Sequence, residues 1–380
     1  MSRAISQNTY MDAEWSESSA LGEIRNASVS RFERVFRWTV RSPACSAAAG
    51  IEYRGSRFLR SFHTAKLIAM AMILACISSP AQTNDQRTLV LVIGAEGEPE
   101  YAKQFSASAE LWEKAATKGG FQIRAVGKEP ETSIDDKTAL EKILAEETAK
   151  PTGELWLVCI GHGTFDGRSA KFNLRGPDIS AEEIASALKP CKRPLAIVQC
   201  ASASGPFLKA LSAPGRVVIT ATKSGNELNE TRFGTYFARA VDDASADLDK
   251  DGQTSLLEAY LVASRQVENF YKEDGRLATE HSLLDDNGDG LGTPADFFRG
   301  VRAVKAPADG KSVDGVRAHQ LNLVRSEAER DLAPEVRARR DELEQRLSVL
   351  RSRKSKLKEP EYYQELEGIL VEMARLYEKK

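Results

Sequence analysis

The chain has 380 residues, ample for one large domain or two with a substantial core. Its 53 Lys and Arg nearly cancel its 55 Asp and Glu, which excludes a globally basic nucleic-acid binder. Residues 1–56 are rich in Ser, Ala and Arg and lack sustained periodicity. A basic run (Arg57, Arg60, Lys66) then leads into an apolar segment from Leu67 to Ile77 and the small residues Ser78-Ser79-Pro80-Ala81. That is the layout of a secretory signal peptide cleaved after Ala81. The segment is shorter than the roughly 20 residues a membrane span needs. Residues 1–81 are therefore expected to be an N-terminal extension and signal peptide, with the true start downstream of Met1. The mature protein is expected to be exported, periplasmic or extracellular. Ile73-Leu74-Ala75-Cys76 resembles a lipobox, so membrane attachment is expected only if Cys76 is lipidated.

Strand and helix patterns alternate from there. Thr88–Ile93 predicts a strand, 100–117 an amphipathic helix stopped by Gly119-Gly120, 121–126 a strand and 137–150 a helix. Leu155–Ile160 is the next strand, and Ala170–Leu174 an extra arm. Ser180 and Glu183 form a capping box that opens a helix to Leu188. Leu195–Val198 is a strand, a short helix begins near Pro206, and 216–221 is a further strand. This rhythm predicts an α/β fold over 82–240, a mostly parallel sheet with helices on both faces. Residues 241–301 read as a calcium-loop segment and 302–315 as a linker. Residues 316–380 read as an α-helical hairpin, starting at Pro334 and broken at Pro360, that packs on the main domain or self-associates.

Two strands carry chemistry at their carboxyl ends, the edge where open α/β sheets place their sites. Leu155–Ile160 runs into Gly161-His162-Gly163, and Leu195–Val198 into Gln199-Cys200-Ala201-Ser202. A thiolate at Cys200 could attack an acyl carbon, with His162 as general acid and base. The backbone N–H groups of Gly163 and Cys200 would be the oxyanion donors. Cys159 is expected to be core, and Ser202 and Ser204 are alternative nucleophiles without a specific activator. Lys223, Glu227 and Glu230 are expected to border the substrate pocket.

Strand–His–Gly, an arm, then strand–Cys resembles the caspase-like clan of cysteine peptidases, and in detail its legumain-like family. Val90–Gly97 is similar to the first strand and loop of that family, and Ile219–Ser224 to the strand lining its specificity pocket. The resemblance implies a caspase-like architecture, an exported cysteine endopeptidase acting on a peptide or protein substrate, and Glu96 as orienter of the histidine. The family has Asn at the position of Glu96 and a small residue, not Gln199, before its cysteine. The alternative is a catalytically inactive peptidase-like scaffold acting as a calcium-stabilised binding protein. A third expectation is a calcium sensor whose helical tail recruits partners.

Two acidic loops match the EF-hand pattern. The first offers Asp247, Asp249, Asp251, Gln253, Ser255 and Glu258; the second Asp285, Asn287, Asp289, Leu291, Thr293 and Asp296. Hard oxygen ligands favour a structural Ca²⁺. No organic cofactor is expected. His281 and His319 stand alone in the sequence, so no zinc site is expected.

Overall fold

The computed structural model describes residues 86–129, 134–305 and 313–378. The expected signal peptide, Cys76 and residues 306–312 of the expected linker lie outside them.

Short apolar runs make the strands, and amphipathic stretches the helices between them. In chain order these are β1 (Thr88–Ile93), α1 (Pro99–Lys118), β2 (Gln122–Val126), α2 (Asp136–Thr148) and β3 (Leu155–Ile160). A three-stranded antiparallel arm follows: β4 (Gly163–Phe165), β5 (Ala170–Phe172) and β6 (Ile179–Ser180). Then come α3 (Ala181–Leu188), β7 (Leu195–Gln199), α4 (Gly205–Leu211), β8 (Arg216–Thr220) and α5 (Phe233–Ala240). Both halves of the Ser180–Glu183 capping box are made at the start of α3.

The central sheet has the order β2-β1-β3-β7-β8-β9, where β9 is Leu283–Asp285. Its first five strands are parallel, and β9 runs antiparallel against β8. β1 and β3 are buried along their whole length because helices cover both faces. Period-two alternation divides the side chains cleanly. Leu89, Leu91, Trp156, Val158, Ala196 and Val198 face α1, α5 and α6 (Leu256–Glu273). Val90, Val92, Leu157, Cys159 and Ile197 face α2, α3 and α4. The result is a mixed α/β fold with a mostly parallel sheet between two helical layers.

Residues 241–301 are woven into this body through β9. A small hairpin, β10 (Phe298–Arg299) and β11 (Arg302–Ala303), follows. The C-terminal part comprises α7 (Val316–Gln320), α8 (Glu327–Arg330), α9 (Pro334–Ser352) and α10 (Glu359–Glu378). α9 and α10 pack as a hairpin, with Leu343, Leu347, Leu350, Tyr362 and Ile369 buried. Arg87 clasps this part to the sheet. Its guanidinium pairs with buried Glu154 at 3.0 Å and donates to the carbonyls of Gly119, Asn322 and Leu323. Arg325 also reaches Glu154. No helix among the described residues is long and apolar enough to cross a membrane.

Candidate active site

The register Val158↔Val198 and Cys159↔Gln199 sets the ends of β3 and β7 level, so the chain beyond each emerges side by side. His162 and Ser202 line one small pocket there, closed by α1 and the start of α5. It holds about 20 Å³, room for one water molecule. The His162 ring is half-buried, edge-on to Tyr101 (4.5 Å between centroids) and Phe105 (5.2 Å).

Cys200 borders the same pocket, but its thiol is packed away. Ala196, Val198 and Cys200 alternate onto the α5 face, and a Cβ placed on Gly234 of α5 would lie 3.1 Å from Cys200 Sγ. The residue is 4% exposed, and burial pushes the thiol up to about 12. Its N–H donates to the Cys159 carbonyl at 3.0 Å, continuing the β3–β7 ladder by one bond. This N–H, expected as an oxyanion donor, is used here by the ladder.

Gly163 is committed as well. Its N–H donates to Ser202 Oγ at 3.3 Å, and Ser202 Oγ donates to its carbonyl at 3.1 Å. Glu96 is exposed, and among the described residues no hydrogen bond or ion pair joins its carboxylate to His162. Orientation of His162 falls instead to the two aromatic rings of α1, where the sequence offered no motif.

In the turn after β7, Ala203 adopts a left-handed φ of 53° before α4 begins. An L-residue with a side chain pays on the order of 1 kcal/mol there, and such strain clusters at functional turns. Ser202 sits immediately before this strained residue. Ser204 is wholly buried, bonded to Thr222 through both its hydroxyl and the Thr222 N–H, and supports the turn.

Of the three expected pocket residues, Glu230 lines the pocket. Lys223 and Glu227 do not: Glu227 accepts from the Lys223 N–H and pairs with His281 Nδ1. His281 is thus engaged rather than isolated. His319 is too, with Nε2 3.0 Å from Asp249 Oδ2.

In the first acidic loop the carboxylates of Asp247, Asp249 and Asp251 converge within 4.8 Å of one another, and Asp249, Glu258 and His319 form an overlapping group. Gly252 and Lys250 take left-handed backbone, turning the loop as the pattern requires. Glu258 accepts from the N–H groups of Leu248, Asp249 and Ser255 and from the Ser255 hydroxyl. Ser255 is accordingly the cap of α6. Gln253 bridges Asp251 and the Ser326 N–H. The carboxylate oxygens of this loop are the donor type that a hard divalent cation takes.

The second loop departs from expectation at its far end. Asp285, Asn287 and Asp289 accept from loop N–H groups in the same style, Asp289 from Leu291. Asp296, however, is exposed and pairs with Lys305 at 2.6 Å. Thr293 is bonded to Leu284 through its backbone and to Asp314 through its hydroxyl. The cause is local: β9 leads into the loop and Pro294 caps a single 3-10 turn, so no helix swings a closing carboxylate inward. Burial and neighbouring Asp286 raise the Asp314 carboxyl instead.

No family model and no curated protein matches the chain. Solved structures similar to it include the Drosophila initiator caspase Dronc, 13% identical, at a TM-score of 0.39 over 67% of this chain and 97% of that one. A protein of Geobacter sulfurreducens is 12% identical, at 0.37 over 53% and 92%. Caspase-1 of Spodoptera frugiperda is 10% identical, at 0.35 over 53% and 87%.

Proposed function

We propose that this chain is a peptidase-like scaffold that binds a peptide or protein segment at the His162–Ser202 pocket without using Cys200 as a nucleophile. One observation carries the proposal. Cys200 borders the pocket but is packed closely against Gly234, with burial disfavouring its thiolate and its N–H spent in the sheet, so no free oxyanion donor is offered there. The order strand–His–Gly, antiparallel arm, strand–Cys supports descent from a legumain-like ancestor. A structural Ca²⁺ in the first acidic loop and export through the 57–81 segment belong to the same proposal, as does self-association through the α9–α10 hairpin.

A second reading is a serine-type hydrolase, favoured by the placement of Ser202 before strained Ala203 in the pocket with His162. Against it, the hydroxyl proton of Ser202 goes to the Gly163 carbonyl.

The test combines probes with a binding screen. Native protein is treated with acyloxymethyl ketones and with a fluorophosphonate, then screened against a peptide library. Saturable peptide binding, lost when Ser202→Trp fills the pocket, with both nucleophiles unmodified, is expected. Labelling of Cys200 that depends on His162 would restore the cysteine-peptidase reading. Fluorophosphonate on Ser202 would establish the serine hydrolase.

A further inference from the structure

The β8–α5 loop carries two cations and two carboxylates: Lys223, Arg232, Glu227 and Glu230. Three of these are engaged. Glu227 accepts from His281 and from the Lys223 N–H, and Lys223 Nζ lies 3.9 Å from it. The Arg232 guanidinium stacks on Phe270, 4.0 Å from the ring centroid. Glu230 is left half-buried on the pocket wall, and among the described residues no hydrogen bond or ion pair engages its carboxylate. No Lys or Arg lines the pocket.

The remaining wall sets polar Gln104, Ser108 and Thr235 beside apolar Phe105 and Ile160. Gln104 Nε2 donates to Thr235 Oγ1, and Ser108 Oγ shares a hydrogen bond with the same hydroxyl. Gln104, Ser108, Thr235 and Glu230 thus bring side chains with acceptor oxygens to the lining of a space the size of one water. A primary ammonium matches this in charge, in its three donors and in its compact volume. A guanidinium is a planar fork too broad for the same space.

We propose that the pocket is a receptor for a primary ammonium group, paired with Glu230 and presented by a lysine side chain of a protein partner. The proposal deepens the peptide-binding reading and rests on it for the source of the ammonium. It assigns Glu230 as the residue that determines specificity.

The test follows the imidazole resonances of His162, identified by their loss in His162→Gln, in the full chain at pH 7.5. n-Butylammonium, n-butylguanidinium and n-butanol are titrated into wild type, Glu230→Gln and Glu230→Ala. A saturable shift with butylammonium is expected, none with butanol, and binding weaker by about tenfold or more with the guanidinium and in both variants. No saturable shift, or equal affinity in the variants, overturns the proposal. A second arm compares a pentapeptide carrying a central lysine with its norleucine counterpart. Tighter binding of the lysine peptide than of butylammonium identifies a protein chain as the source; equal binding identifies a free amine, and both support the ammonium site. If butylammonium binds and no peptide does, the peptide-binding reading fails and the ammonium site stands. Peptide binding indifferent to lysine does the reverse.

Discussion

The hydroxyl of Ser202 is held by both backbone groups of Gly163, accepting from its N–H at 3.3 Å and donating to its carbonyl at 3.1 Å. These two hydrogen bonds tie the turn after β7 to the first residue of β4, next to His162. A Cβ on Gly163 would lie 2.3 Å from the Ser202 carbonyl oxygen, so the close approach requires glycine there.

Removing the hydroxyl leaves two buried backbone groups without partners. Ser202→Ala is expected to destabilise by about 1–3 kcal/mol. Ser202→Cys, with its longer bonds and weaker donor, should recover only part of this. Urea melts of the three proteins provide the check, and an unchanged midpoint in Ser202→Ala would show that the pair contributes nothing.

With its thiol pushed up to about 12, Cys200 holds about one thiolate in ten thousand near pH 8. Half-buried Cys191 should therefore react first with iodoacetamide, while Cys159 and Cys200 stay protected until the protein unfolds. Because burial raises the folded value above the ordinary one, the stability associated with the neutral thiol is full below about pH 9. It declines as pH rises from there towards 12. Mass spectrometry after timed alkylation, native and denatured, would show the order of modification.

Calcium should raise the thermal midpoint through the first acidic loop. At a thousandfold excess over its dissociation constant the gain is about 4 kcal/mol. Asp249→Asn and Asp247→Ala should abolish the shift and chelation should reverse it, whereas Asp289→Ala in the second loop should leave it intact. Differential scanning fluorimetry with and without Ca²⁺ measures this directly, and loss in Asp289→Ala would place the ion in the other loop.

Glu183 is held down to about 2, by Lys137 first and then by the Ser180 N–H of the α3 cap. A depressed carboxyl contributes stability above about pH 4.5 and loses it as pH falls towards 2. Wild type should thus be more stable than Glu183→Gln at pH 7, and the two should converge near pH 2. Chemical melts at both pH values would reveal this; a constant difference would assign the effect to cap geometry alone.

Glu154 sits between Arg87 and Arg325, with Trp156 Nε1 donating to it at 3.2 Å. Glu154→Gln leaves two guanidinium groups uncompensated at a buried point and should cost about 3 kcal/mol or more. The exposed pair Lys128–Glu113 serves as control, since its removal should change little. Paired denaturation curves of the two variants are the measurement.

Much of the α/β frame was legible because parallel strands buried on both faces leave unbroken apolar runs. Leu155–Ile160 and Leu195–Gln199 are such runs, and the Ser180–Glu183 cap fixes a helix start from two residues. Cys200 is ambiguous in the sequence for a physical reason. A cysteine at a strand end satisfies both a catalytic pattern and a core one, and the alternation Ala196, Val198, Cys200 is the signal that favours the core. The turn after β7 takes left-handed backbone at Ala203, where no glycine announces it. The contact of His319 with Asp249 spans 70 residues and has no local pattern at all. Asp296 pairs with Lys305 instead because a single 3-10 turn after Pro294 stands where the loop motif presumes an exiting helix.

The clasp at Arg87 bears on when this protein can finish folding. Arg87 precedes the first strand, yet one of its carbonyl partners, Leu323, lies 236 residues further along. A nascent chain therefore holds its opening strand with the guanidinium answered by Gly119 and Glu154 alone until most of its length has been made. Closure of so long a loop is entropically slow. Assembly thus ends where it began, with the last quarter of the polypeptide acting as the latch on the first strand, and any product truncated before Asn322 is left open at the sheet's amino edge.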